Sequence, residues 1–593
     1  MIRLKARWGL WALYIFGVGV ITRLALAAGG RWNSDEAIPV LMANDGHRGW
    51  FDMYYWGQDR LGAWPWKFAA WTHAVTHVDW TPDRLRALHI AFALLGGLVF
   101  PARLRRAGWP AAVAWTLGCT LLPRAMDIYL SAAQPYGAQT VFILIAIAFL
   151  TVEIPSPLQW LGALTFCFLA DWESPASAPL LLAASASLFA VRRRWRWRLW
   201  ARNQFLPILV GGGLEGCLRG IYQGEAKRMF HRSFAGRYSL DGGHLAENIS
   251  RMLGPFLDHP WVGAMALLAL GGTLWVILRP QTEALEAASS EWLVALTGAA
   301  CANFLVMATT RHVRLNLHND RYLVPSYLFF FVAAVLAIMT GVLRIRPLAI
   351  RAFPACLVLL LVPVFVFTRL PGVDATAHAR DVLVALQRQG AQLLIGGYWD
   401  VYPITGLDFA RKLEARVEEG EYDRNPWSLG LLANSKNTWL IRNRPAPESK
   451  SAEASPVWIG FGSVLLAQPS SELRVGETRV IRLEPATDAV PFSGDLPSHL
   501  DACPNAHFRL AARVAPGEVW IRTNVEGGHL NLRGRARSGE ATLIPAAAHF
   551  EGYVRFDVLE ALESPELVAQ EPSTPCDVFA AAWLPMTTAP ASE

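Results

Sequence analysis

ASAPLLLAASASLFAV at 176–191, then RRRWRWR at 192–198, then LWARNQFLPILVGGGLEGCLRGI to residue 221, is the stretch that decides the fold class. Two apolar runs flank a dense basic cluster, the pattern of two membrane spans joined by a short cytoplasmic loop. The rest of the chain agrees. Of 593 residues, 53% are hydrophobic and only 17% charged, where soluble proteins carry about 25% charged residues. Mean hydropathy is +0.26, and 25 Trp and 28 Phe stand against 54 Lys and Arg. This composition excludes simple soluble enzymes, disordered scaffolds and fibrous repeats. The net charge of +6 would suggest nucleic acid only if the basic residues formed a patch. They fall instead in short clusters between apolar runs, so no nucleic-acid partner is expected.

Apolar runs able to cross about 30 Å of hydrocarbon are read at 9–28, 85–101, 109–122, 137–152, 158–170, 176–191, 203–221, 261–278, 291–309, 322–343 and 347–368, about eleven spans. With the N-terminus inside, the inner segments hold 16 Lys and Arg in 51 residues and the outer ones 13 in 125. That bias orients the chain. Ala25-Leu26-Ala27 could mark a signal-peptide cleavage site, but the apolar stretch is too long for a typical signal core, so an uncleaved first span is expected. The expected fold is a polytopic α-helical membrane protein with about 11 transmembrane helices and a C-terminal extracytoplasmic region, α/β then β-sandwich.

Four parts follow: a membrane domain at 1–368 with a first outer loop at 29–83, a small α/β segment at 369–443, a Pro/Ala/Ser/Glu linker at 444–456, and a β-sandwich-like domain at 457–593. Within the α/β segment the pattern reads helix (DVLVALQRQG), strand (QLLIGG), helix (LDFARKLEARVEEG), strand (TWLIRN). Five cysteines lie in apolar runs. Cys503 and Cys576 are the two in the tail and would form a disulfide in an oxidising compartment, the alternative being two buried thiols. No CxxC pair, HExxH, Walker loop, GxSxG or strand-borne GxGxxG is present.

The chemistry concentrates in the first outer loop, GGRWNSDEAIPVLMANDG followed by FDMYYWGQDRLGAWPWKFAAW. Asp35 and Glu36 stand together at the membrane surface. Aromatic screening there would raise a carboxylate toward the range of a general base. The plainer reading is that Ser34-Asp35-Glu36 opens and caps an interfacial helix. Asp171 and Glu173, between two spans, either line a cavity as second acids or sit in a solvated turn. Asp127, in PRAMDIYLSAAQPYG, is a further candidate second acid or an ordinary loop acid. Gln58 would bind sugar hydroxyls or end an interfacial helix. Trp64, Trp66 and Trp71 fit an interfacial belt better than a stacking platform.

The Asp-Glu pair in that position resembles the acidic signature of the C-type glycosyltransferase fold, which includes protein mannosyltransferases and lipid A aminoarabinose transferases. YYWGQDRLGAW is similar to the Tyr/Gly-Gln stretch of bacterial members, HNDRYLVPSY at 318–327 to their Arg-Tyr-x-x-Pro segment, and GYWDVYPITGLDF at 397–409 to the segment opening their outer tail. The resemblance covers roughly residues 1–410; the last 140 or so lie outside it. It implies a sugar donor on a polyprenyl phosphate and an inverting transfer to a lipid, protein or glycan acceptor. The place would be the outer face of a bacterial inner membrane, with the N-terminus cytoplasmic and the C-terminal domain periplasmic. Asp35 then matches the acid that deprotonates or orients the acceptor, and Glu36 its neighbour. His318 and Arg321, with Arg311, Arg314 and Lys67 behind them, would hold the donor phosphate; a headgroup-snorkelling belt is the competing reading. No cofactor is required by any motif, and a divalent metal stays open. An oligosaccharyltransferase, a lipid transporter or flippase, and a sensor or polymer-assembly protein are the rival classes. A transporter would be expected to show interrupted helices and an internal repeat, neither of which is clear.

Overall fold

The computed structural model describes residues 17, 32–44, 53–55, 62–104, 107–120, 122, 136–192, 197–230, 242–278, 284–315, 318–342, 376–410, 412–417, 437–442, 467–485, 490–491, 507–509, 513–514, 517–523, 530–536, 538, 541–545, 548–550, 553–569 and 578–585. The chain divides into two compact units, the first holding Met1–Ala226 with Ser233–Thr376, the second chiefly Ala377–Glu593.

The first unit is helical: α1 Ser34–Asn44, α2 Trp64–Thr76, α3 Pro82–Arg103, α4 Gly108–Thr120, α5 Tyr136–Leu150, α6 Pro157–Glu173, α7 Ser177–Val191, α8 Leu206–Phe230, α9 Leu245–Asp258, α10 Pro260–Leu278, α11 Ala284–Thr309 and α12 Val324–Val342. Among the described residues, four stretches are long and apolar enough to cross a membrane: Pro82–Arg103, Pro260–Leu278, Ala287–Thr309 and Asp320–Met339, and α5 and α7 are shorter apolar helices. The runs expected at 9–28 and 347–368 lie outside the described residues.

Two helices of nearly the same composition show how apolar surface is used. YGAQTVFILIAIAFL in α5 is apolar all round, and almost every residue is buried, so it forms the middle of the bundle. PWVGAMALLALGGTLWVIL in α10 is as apolar, yet it buries Val262, Ala269 and Val276, one stripe seven residues apart. Leu267, Leu274 and Leu278 face outward at 57–71% exposure, surface that a bilayer solvates and water would not. The helices α11 and α12 pack along each other, and α11 also packs on α7. At the end of α7, Arg192, the first residue of the basic cluster, clasps Glu291 of α11 through two bonds of 2.5 Å and also donates to the carbonyl of Thr151. A bidentate guanidinium pair of this kind fixes angle as well as distance.

The second unit opens with a helix, Ala377–Arg388, and a five-stranded sheet of β1 Leu393–Gly396, β2 Glu414–Val417, β3 Thr438–Arg442, β4 Ala467–Val475 and β5 Thr478–Pro485, in the order β2-β1-β3-β5-β4. β1 runs parallel to β2 and β3, while β5 is antiparallel to β3 and β4. LDFARKLEARVEEG, expected as a helix, holds β2 instead: Glu414–Val417 is drawn into register with Leu393–Gly396, and Leu413, Ala415 and Val417 are buried. Parallel pairing outweighs its amphipathic spacing. The WDVYP segment forms a short helix, Tyr398–Thr405, after β1, with Trp399 exposed. The hairpin of β4 and β5 completes this sheet from beyond the expected linker. Farther on stand two antiparallel five-stranded sheets, one of Ala541–Pro545, Leu530–Ala536, Leu562–Ala569, His507–Arg509 and Arg513–Val514, the other of Ala548–Phe550, Tyr553–Val558, Gly517–Thr523, Val578–Pro585 and Val490–Pro491.

Candidate functional site

Helix α1 begins where Asn33 turns the chain. Its side-chain Oδ1 accepts from the Glu36 amide at 3.2 Å, so Asn33, and not the Ser34-Asp35-Glu36 run, supplies this cap. At the other end Asn44 donates to the carbonyls of Val40 and Trp80 and accepts from the Trp80 amide, tying α1 to the start of α3. Thr81 caps α3, with Pro82 in its first turn.

One turn into α3, Arg86 reaches Glu36 at 2.5 Å, with both side chains 9% exposed. Asp83 stands 3.7 Å from the same guanidinium. Burial raises the Glu36 carboxyl above its ordinary value, and Arg86 opposes that rise. Neighbouring Asp35 is only half-buried. The two adjacent acids therefore have different surroundings: Glu36 is turned inward onto a cation, and Asp35 is not shut away.

The last turn of α6 stands where one reading expects a solvated loop. Asp171 and Glu173 are 2% and 0% exposed. Glu173 Oε1 accepts from the Trp64 amide at 3.0 Å, its carbonyl accepts from the Gly62 amide at 3.2 Å, and Trp172 Nε1 donates to the Met53 carbonyl at 2.8 Å. Asp171 lies against Gly212 of α8, beside Glu215 and Arg219. Glu215 pairs with Arg219 at 2.5 Å and accepts from the Tyr54 hydroxyl at 3.0 Å.

His318 sits in the left-handed region with φ 52°. Its Nε2 lies 2.7 Å from Asn248 Oδ1 of α9, an amphipathic helix. Arg321 lies over the ring of Tyr322, 4.9 Å from its centroid, and donates to its hydroxyl at 3.0 Å. Arg314 is half-buried and Arg311 exposed, while Lys67 is buried in α2. The acid pair and the His318–Arg321 segment are thus held by different partners. Gln58, Asp127, Cys503 and Cys576 lie outside the described residues. Among the described residues no group of three or more His, Cys, Asp or Glu is gathered to hold a metal ion.

Sequence reading missed Arg86, Tyr54, Glu215, Arg219 and Asn248. A signal existed for Glu215 and Arg219: a charged pair four residues apart inside an apolar run has to be paired and is commonly functional.

The fold of these helices is that of the C-type glycosyltransferases. The chain is similar to the crystal structure of ArnT from Cupriavidus metallidurans bound to undecaprenyl phosphate, with TM-score 0.51 and 12% identity over 80% of this chain and 98% of the other. An oligosaccharyltransferase from Archaeoglobus fulgidus matches over 96% and 98% at TM-score 0.42 and 10% identity. The arabinosyltransferase EmbB from Mycobacterium smegmatis matches over 96% and 64% at 0.34 and 13%. No protein-family model and no curated protein matches the chain. At such identities the likeness is one of fold.

Proposed function

We propose that the chain is an inverting glycosyltransferase that moves a sugar from a polyprenyl-phosphate donor to a lipid, protein or glycan acceptor at the outer face of a bacterial inner membrane. The observation that carries this reading is the division of labour between the paired acids. Glu36 meets Arg86, a buried partner that fixes α1 against α3, while its neighbour Asp35 is half-buried. In the reaction, an acceptor oxygen or nitrogen bonds to the anomeric carbon as the bond to the phosphate oxygen breaks. The acceptor proton passes to Asp35, and the lipid phosphate leaves with the bonding pair. Cationic donors aimed at that phosphate lower the barrier. His318, Arg321, Arg314 and Lys67 are assigned this role, with Gln58 toward the sugar. Orientation follows from the basic bias: N-terminus cytoplasmic, tail periplasmic.

The experiment is Asp35→Asn. Asn keeps the size of the side chain but takes up no proton, and positioned general bases contribute about 100- to 10,000-fold. The expected outcome is normal membrane abundance with transfer from membrane-derived lipid-linked sugars reduced at least about a hundredfold. Near-normal transfer would remove Asp35 from the chemistry.

A further inference from the structure

Helix α2 has no cap of its own. Its N-cap residue, Ala63, offers no side-chain acceptor, and the amide of Trp64 is one of the orphan donors that any helix leaves at its start. That donor is met by Glu173, 109 positions away at the end of α6. Burial raises the Glu173 carboxyl, and the bond from the Trp64 amide opposes that rise. The same turn takes hold of the segment leading into α2 at several more points. Gly62 bonds to the Glu173 carbonyl, and Met53 accepts from Trp172. Tyr54 pairs across to Gly62 and donates to Glu215, its ring 4.7 Å from that of Tyr222. Close approach is built in: a Cβ on Gly62 would stand 2.7 Å from the Trp172 carbonyl oxygen.

We propose that Glu173 is a positioning residue and not a second acid. It caps α2 from another helix, and so sets the end of the first outer loop and, one turn along α2, Lys67 toward the phosphate of a polyprenyl-phosphate donor. The capping stands on the geometry alone; the clause about the donor rests on the function proposed above. Glu173→Gln preserves an acceptor oxygen for the Trp64 amide, whereas Glu173→Ala removes it. A proton-transferring acid would be lost equally in both.

The test uses the full-length protein in nanodiscs, with hydrogen exchange read by peptide and undecaprenyl phosphate as the binding probe. In Glu173→Ala, exchange in peptides covering 53–66 should rise about fivefold, the effect of losing a typical cap, with α11 and α12 unchanged. Binding of the probe should weaken by a similar factor of about five. Glu173→Gln should restore both to within about twofold of the parent protein. Equal damage from Gln and Ala would overturn the capping role, and faster exchange without weaker binding would overturn the positioning role. If the parent protein does not bind undecaprenyl phosphate while the exchange pattern appears as expected, the donor reading fails and the cap survives. Should Glu173→Ala not reach the membrane, Trp172→Phe removes only the bond to Met53. It should then give a smaller rise confined to the same peptides, and its absence would count against the clamp.

Discussion

Arg86→Met tests the buried ion pair in a way that also fixes the sign of its pH dependence. Glu36 and Arg86 are both 9% exposed and 2.5 Å apart. Methionine keeps most of the aliphatic volume but leaves a buried carboxylate without its guanidinium, a loss of about 3–5 kcal/mol for comparable pairs. The reverse change should cost less, about 1–2 kcal/mol, because in Glu36→Gln the guanidinium keeps a second carboxylate, Asp83, at 3.7 Å. The double variant should recover most of the Arg86→Met loss, since neither charge is then stranded.

The pH dependence follows from the raised carboxyl of Glu36, which lies outside the candidate membrane spans. The folded state holds this proton more tightly than the unfolded chain, so stability falls as pH climbs from the ordinary value of 4.5 through the raised one, and is level above it. Removing Arg86 removes the influence that opposes the rise, so this window widens upward. The Arg86→Met deficit should therefore be small at pH near 4, where Glu36 is protonated in both states, and full at neutral pH. Thermal unfolding in detergent, followed by tryptophan fluorescence at several pH values, reads the difference between variant and parent. A deficit that stays constant from acid to neutral pH, or a double variant no more stable than Arg86→Met, would refute the pairing.

Arg321→Ala should lower kcat/KM for the lipid-linked donor, because the role proposed for it is to meet the charge of the leaving phosphate; an unchanged kcat/KM in transfer assays would return Arg321 to its packing over Tyr322. A reporter active only in the periplasm, fused after residue 440, should be active, whereas an inactive fusion inverts the topology. Cys503 and Cys576 should be joined. The closed loop of about 70 residues would contribute about 4 kcal/mol in the chain-entropy model, and alkylation of both Cys503 and Cys576, found by mass in the unreduced, denatured protein, would disprove the bond.

Local pattern alone decided that this chain crosses a membrane and which end of each span carries its anchor. Apolar length and basic clustering are properties of consecutive residues, and the bilayer responds to them directly. The same holds for Asp35-Glu36, recognisable as a charged pair just outside a span. Which acid meets a cation in the interior could not be read, because Arg86 lies 50 residues from Glu36 and reaches it only when α1 settles on α3. Glu173 depended still more on the fold. In the sequence it is an acid in a turn between two spans; in the structure it caps a helix whose first residue is 109 positions distant. Residues 407–420 show the limit in the tail. Their spacing suits a helix, but Glu414–Val417 gains backbone partners along the edge of β1 that no local spacing encodes. Helix periodicity and span length are local and survive reading from the sequence, whereas partner choice is made by whichever distant backbone or charge arrives when the elements pack.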